Sequence, residues 1–271
     1  MMDFEPMTAE LRAWLDLRFQ PDADRAEVRR LRDLVPLPLR MAWFAAHRRW
    51  RCRPETEVGE RATHASPSGR YVLEISTHSE APRTWAYSRG RILRGGEVIA
   101  EVFRNFGQFP FVWVEDHPAG HDYLICGEDY QGQTVIELDT GRRTDHLAPE
   151  AHEGFGFCWA GYQASPSRRT LAVSGCYWGA PYEVRLIDLS DPLTHLPIVK
   201  IVESGADYAW QVDQPDTCTI QREIEICAPT GTPADAMSEE EEADAERRRL
   251  AREPGLWRTL YVARRGPGPA G

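Results

Sequence analysis

The sequence has no basic surplus. Its 271 residues carry 32 Lys and Arg against 42 Asp and Glu, a formal net charge of −10. That balance argues against a nucleic-acid partner, whose phosphates must be neutralised by a basic footprint. No apolar run is long enough to span a bilayer. The opening stretch MMDFEPMTAELRAW has acids where a secretory signal needs a basic and then an apolar segment. The expectation is a cytoplasmic chain with no membrane partner. Six cysteines are present, but Cys52, Cys126, Cys158, Cys176, Cys218 and Cys227 form no C-x-x-C pair. Zinc sites need closely spaced ligands, so these residues are expected to be thiols that serve as small hydrophobes. There is no G-x-S-x-G elbow and no phosphate-binding glycine loop; the glycines of GFGFCWAG sit in a strand with no helix after them. No cofactor is expected.

What is present is apolar and aromatic. A hydrophobic share of 42% with nine tryptophans belongs to a globular chain, long enough for one large β domain or two small ones. The first fifty residues read as helices. Leu11, Trp14, Leu15 and Phe19 recur at helical spacing behind Thr8, a capping residue. A second helix carries Val28, Leu31 and Leu34 and stops before Pro36, and a third runs from about Leu39 to Trp50. Arg48, Arg49 and Arg51 gather at its end. They form either a solvated face where a helix C-terminus favours cations or an anion or partner site.

From Gly59 onward strands take over with a period. Pro67, Pro118, Pro166 and Pro215 recur about every 50 residues, the spacing of a propeller-blade repeat. Trp113, Trp159 and Trp210 each stand a few residues before a turn proline, so two residue types keep one phase. The clearest unit is FVWVEDHPAGHDYLICGEDYQGQTVIELDTG, three short strands joined by tight connections. The other strands are expected at Tyr71–Ser76, Thr84–Tyr87, Glu97–Phe103, Arg143–Leu147, Leu171–Gly175, Tyr182–Ile187, Ile198–Val202, Thr217–Ile226 and Trp257–Ala263.

The fold class is therefore mainly β: a small or incomplete β-propeller-like array of about four antiparallel units behind an N-terminal helical segment. The boundaries are 1–56 for the helical segment and 57–265 for the repeat domain, with a disordered tail at 266–271. The repeat domain holds an insertion at 233–254, acidic first and basic last, expected as a solvated helix.

In such a unit, the turns after the first strand lie at one end of the sheet and the next connections at the other. This places Glu115, Asp116, His117, His121 and Asp122 at one end, and the GEDYQG loop at the opposite one. Asp116, His117, His121 and Asp122 are weak metal-ligand candidates, and a turn whose side chains bond their own backbone is the simpler reading. The opposite rim should gather Arg104, Asn105, Glu128, Asp129, Tyr130, Gln131, Tyr177, Trp178 and Tyr182. Amides and aromatics beside carboxylates suit a polar ligand or a peptide.

HPAGHDYLICGEDYQGQTVIELDTG and GFCWAGYQASPSRRTLAVSGCYWGAPYEVRLIDLSDP resemble a family of uncharacterised bacterial proteins with a GEDYQG loop and a G-C-x-W-x-x-P-Y-E segment. The likeness covers about the middle half of the chain, from Pro110 to Pro192. More loosely, the S-P-x-G-x-x-L element is similar to the blade signature of WD40-like and TolB-like propellers, although ASPSRRT lacks the glycine. Neither resemblance implies an activity. The expected function is non-catalytic binding of a protein partner or polar small ligand through this rim. The alternative is a hydrolase or lyase using Glu128 and Asp129, with or without a divalent metal.

Overall fold

The computed structural model describes residues 4–18, 20, 22–178, 182–194, 196–202, 208–211, 217–227 and 257–265. The insertion at 233–254, the tail and the turn holding Pro215 lie outside them. The chain divides into two compact units, Met1–Phe109 and Pro110–Gly271.

The first unit opens with α1 (Ala9–Arg18), α2 (Arg25–Leu34) and α3 (Leu37–Arg51). Thr8 caps α1 as its chemistry suggests: its Oγ1 accepts from the Leu11 amide at 3.1 Å. Leu11, Trp14 and Leu15 of α1 pack with Val35 and Trp43 in one apolar cluster. Of the arginines at the end of α3, Arg48 is buried, Arg51 is half-buried and Arg49 is exposed. Arg49 lies over the Phe103 ring, and Arg51 lies over Trp50 and Tyr87 while pairing with Glu80. The cluster thus holds the helix to the first sheet by cation–π contacts.

Burial beside these cations has a consequence for His47, which stacks on Trp43 at 4.7 Å. Desolvation, helped by Arg51, lowers its pKa from 6.5 to about 4. Folding therefore favours the neutral ring. Its contribution to stability is complete above about pH 6.5 and is lost as pH falls toward 4. Partial exposure reduces the full value of the shift to about 1–2 kcal/mol. Denaturant titrations at pH 7 and pH 4.5 should show this acid-dependent loss in the wild type and a smaller loss in His47→Gln. Equal losses would mean that another group governs acid stability.

The first sheet is a meander of β1 (Glu57–Ala65), β2 (Tyr71–His78), β3 (Tyr87–Arg94) and β4 (Glu97–Arg104). The strand expected at Thr84–Tyr87 begins where that range ends. The sequence of β3 reads as polar because two of its three buried positions are Ser88 and Gly90, with Ile92 the third, while Arg89 and Arg91 take the half-buried face. Gly95 and Gly96, both at positive φ, make the two-residue turn to β4.

The second unit contains two more four-stranded meanders. One holds β5 (Val112–Val114), β6 (Tyr123–Cys126), β7 (Gly132–Glu137) and β8 (Arg143–Leu147). The other holds β9 (Cys158–Ala164), β10 (Thr170–Cys176), β11 (Glu183–Asp188) and β12 (Ile198–Val202). A three-stranded sheet follows, of β13 (Tyr208–Trp210), β14 (Cys218–Cys227) and β15 (Trp257–Arg265). All strand neighbours are antiparallel. Among the described residues the architecture is mainly β, with three four-stranded antiparallel sheets, one three-stranded sheet and three α-helices.

The third sheet is covered on both faces. Leu171, Val173 and Ile187 pack toward Val114, Ile125 and Val135 of the second sheet. Their strand neighbours Ala172, Val184 and Leu186 pack toward Cys218, Tyr208 and Trp210 of the fourth. Burial on both sides explains why β10 and β11 read as nearly continuous apolar runs rather than alternating ones.

The proline turns repeat in backbone detail. Ser66, His117 and Ser165 each donate an amide across the turn, to the carbonyls of Tyr71, His121 and Thr170. They accept in turn from the amides of Gly69, Gly120 and Arg168, all at positive φ. Ser66 and Ser165 also accept, on Oγ, from the amides of Tyr71 and Thr170 at 3.2 and 3.1 Å. Arg168 therefore takes the glycine place of the turn, so the missing glycine in ASPSRRT changes a residue and leaves the geometry intact.

Candidate functional site

The turn EDHPAGHD bonds to its own backbone. Asp122 Oδ1 accepts from the Asp116 amide at 2.8 Å, and His117 Nδ1 accepts from the Ala119 amide at 3.1 Å. Burial lowers the His117 pKa, opposed by the backbone of Leu189. His121 turns away toward Asp139, 3.4 Å from its carboxylate. Behind it, Tyr123 and the buried Glu137 meet at 3.3 Å, and burial with that carboxylate pushes the Tyr123 phenol up to about 12. Among the described residues, no three His, Cys, Asp or Glu side chains form a group that could hold a metal ion.

GEDYQG lies at the far end of β6, between β6 and β7. Glu128 is 2.8 Å from Arg143 of β8, and its amide donates to Thr134 Oγ1. Asp129 Oδ1 accepts from the Gln131 amide at 2.9 Å, an Asx turn. Gln131 is buried and its Oε1 accepts from the Gly156 amide at 2.7 Å, while the Tyr130 carbonyl accepts from the Trp159 amide at 2.8 Å. The loop is thereby stitched to the start of β9. Gly132 closes it, because a Cβ there would stand 2.8 Å from the His146 carbonyl.

The Tyr130 ring extends from this loop to Trp178, edge to face with centroids 5.7 Å apart. Trp178 follows β10 and is 59% exposed; Tyr177 before it is 38% exposed, and Tyr182, just ahead of β11, is 50% exposed. Tyr177 is held from behind. Its ring meets Phe157 at 5.8 Å, and its hydroxyl accepts from Arg185 at 2.9 Å. Arg185 is itself buried, 3.6 Å above the Phe157 ring and 2.6 Å from Glu183. The rim of the second unit is thus an aromatic surface on a buried cationic strut, with the loop's polar groups directed inward.

Of the expected rim residues, Glu128, Asp129, Tyr130, Gln131, Tyr177, Trp178 and Tyr182 belong to this unit. Arg104 and Asn105 belong to the first unit. There Arg104 is buried and its Nε donates to the Gln108 carbonyl at 2.8 Å, closing the loop after β4, and the Asn105 carbonyl accepts from Trp85 Nε1 at 2.6 Å. The cation beside Glu128 is Arg143. Sequence reasoning missed Arg143, Arg185, Phe157 and Phe155, the last 70% exposed. An arginine inside the apolar strand EVRLID was the one available signal.

The first sheet also contains a Ser–His contact, with Ser76 Oγ 2.9 Å from His78 Nε2. Both side chains are buried, and His78 Nδ1 lies 3.2 Å from the Arg53 carbonyl. The pair anchors β2 to the chain before β1.

No family model matches the chain. It is 33% identical over 149 residues to an uncharacterised protein of Acanthamoeba polyphaga mimivirus, a stretch of 53% of this chain and 58% of the relative. The chain therefore spans less than two thirds of that relative's length. This finding corrects the expected membership of a bacterial family: the likeness found is viral, and it does not bear on the two motifs. Within the two motifs, Gly132 and Gly175 admit a neighbouring strand, and Tyr130 and Gln131 tie their loop to the start of β9. Among the described residues, no helix is long and apolar enough to cross a membrane.

Proposed function

We propose that this chain is a non-catalytic, cytoplasmic β-propeller-like module that binds a protein partner or a polar small ligand through the GEDYQG and CYWGAPYE rim. The observation that carries the reading is the pairing of Tyr130 with exposed Trp178, with Tyr177 and Tyr182, at the adjoining ends of β10 and β11, also exposed. Large aromatics left in water on a built support are what binding surfaces use as anchors. The propeller arrangement is supported by the repeated meander and by the recurring turn hydrogen bonds.

The hydrolase reading is weaker. Glu128 is committed to Arg143 and Asp129 to its Asx turn, so neither is poised as an acid or base.

Peptides selected from a random displayed library against the full chain provide a probe. Trp178→Ala should weaken their binding at least about tenfold, as for an anchor residue, with little change in melting temperature. Trp85→Ala, an exposed tryptophan of the first unit, should leave binding unchanged. If Trp178→Ala binds as the wild type does, or if Trp85→Ala is equally impaired, the rim is not the binding surface.

A further inference from the structure

The cysteines do not form one class. Cys52, Cys126 and Cys218 are buried, and burial holds the Cys52 thiol up at about 12 and the Cys218 thiol at about 11. The Cys52 and Cys218 thiols are packing groups with almost no thiolate at neutral pH. Cys158 and Cys176 differ in being partly exposed. They also stand directly opposite each other, as register partners on the antiparallel strands β9 and β10.

Opposed residues of an antiparallel pair place their side chains on one face, with Cα atoms roughly 4.5–5.5 Å apart. Disulfides span Cα separations of about 4.4–6.8 Å, so the backbone already lies within range. Two features reinforce this at the site. The register shifts between Ser174 and Gly175, and Gly175 lets β9 approach so closely that a Cβ there would overlap the Cys158 carbonyl.

The geometry points to a redox-modifiable pair: Cys158 and Cys176 form a reversible cross-strand disulfide at the foot of the aromatic rim. The oxidant is a small-molecule disulfide such as oxidised glutathione. One cysteine thiolate attacks it and releases one reduced glutathione, leaving a mixed disulfide. The second thiolate then attacks the protein sulfur of that bond and releases the second glutathione. Each cysteine gives up one proton and one electron, and the two electrons end on the two glutathione thiols. A bond between directly opposed strand residues draws their Cβ atoms below the usual cross-strand spacing, and strained, accessible disulfides are the readily reduced ones. The bond forms one residue before Tyr177 and one after Phe157, the two rings in contact beneath the rim. The inference stands whether or not the rim binds a partner.

The test is peptide mapping of the full chain equilibrated in glutathione buffers from fully reduced to fully oxidised, acid-quenched and alkylated without reduction. A cross-linked peptide joining Cys158 to Cys176 should grow with the oxidised fraction and disappear on adding dithiothreitol. Cys158→Ser and Cys176→Ser should each abolish it, and Cys126→Ser should leave it intact. The wild-type map is decisive even if a variant folds poorly. Three results would overturn the inference: glutathione adducts on both cysteines without a cross-link, no modification at any ratio, or a bond to one of the other cysteines.

Discussion

Gly175→Ala should destabilise the second unit by about 3 kcal/mol, the upper part of the range for forcing extra atoms into a packed site. The added methyl would stand 2.6 Å from the Phe157 ring and overlap the Cys158 carbonyl. The obstacle is backbone, not the end of a flexible side chain, so β9 must move away from β10. In a chain of this size, that cost corresponds to a fall in melting temperature of about 6–12 °C. Gly120→Ala is the comparison. Gly120 sits at φ 86 with open space where a Cβ would go, so its cost is only the left-handed strain, about 1–2 kcal/mol. Thermal melts of both variants decide the matter. Equal losses would show that β9 and β10 are farther apart at Gly175 than described.

The second large effect is expected at Arg185. Its guanidinium is nearly dry, and three partners depend on it: the Phe157 face, the Glu183 carboxylate and the Tyr177 hydroxyl. Arg185→Ala removes the cation from a pair whose carboxylate is largely buried, and breaking such a pair costs about 3–5 kcal/mol. Glu183 retains some exposure, so about 3 kcal/mol is expected. Arg185→Lys should recover less than half of this, because an ammonium can neither stack flat on Phe157 nor reach two acceptors with a planar fork. Arg185→Met combined with Glu183→Gln should recover more than Arg185→Lys, since it keeps the apolar volume and removes the unpaired charge. Urea unfolding of the three variants orders them. A lysine variant as stable as the wild type would mean that charge alone matters and that the stacked geometry does not.

The sheet pattern was legible because its signals are local. A proline turn needs particular residues at fixed places, and Ser66 and Ser165 with their following prolines state it in the sequence. Strands β6, β12 and β15 were placed within a residue or two because apolar runs bounded by turns leave little freedom. β3 was displaced because two positions of its buried period-two face are Ser88 and Gly90, which hydrophobicity alone does not register. For the rim, the sequence located the loops that hold Tyr130 and Trp178 at equivalent ends of neighbouring sheets. The turn of the loop's carboxylates toward Arg143 and their own backbone was not legible, because those partners come from another strand and from backbone amides.

By itself, then, the sequence determined the three four-stranded meanders, their proline turns at Pro67, Pro118 and Pro166, and the helical opening. Each follows from steric and hydrogen-bonding rules acting over a few residues. Only the tertiary structure decided which groups face water. Arg104 and Arg185 look alike as charged residues in strands, yet one closes a loop and the other supports an aromatic surface. The pairing of Cys158 with Cys176 was equally hidden. It depends on the register of β9 against β10, set by the shift at Gly175 and by the packing of Phe157, contacts that join residues distant along the chain.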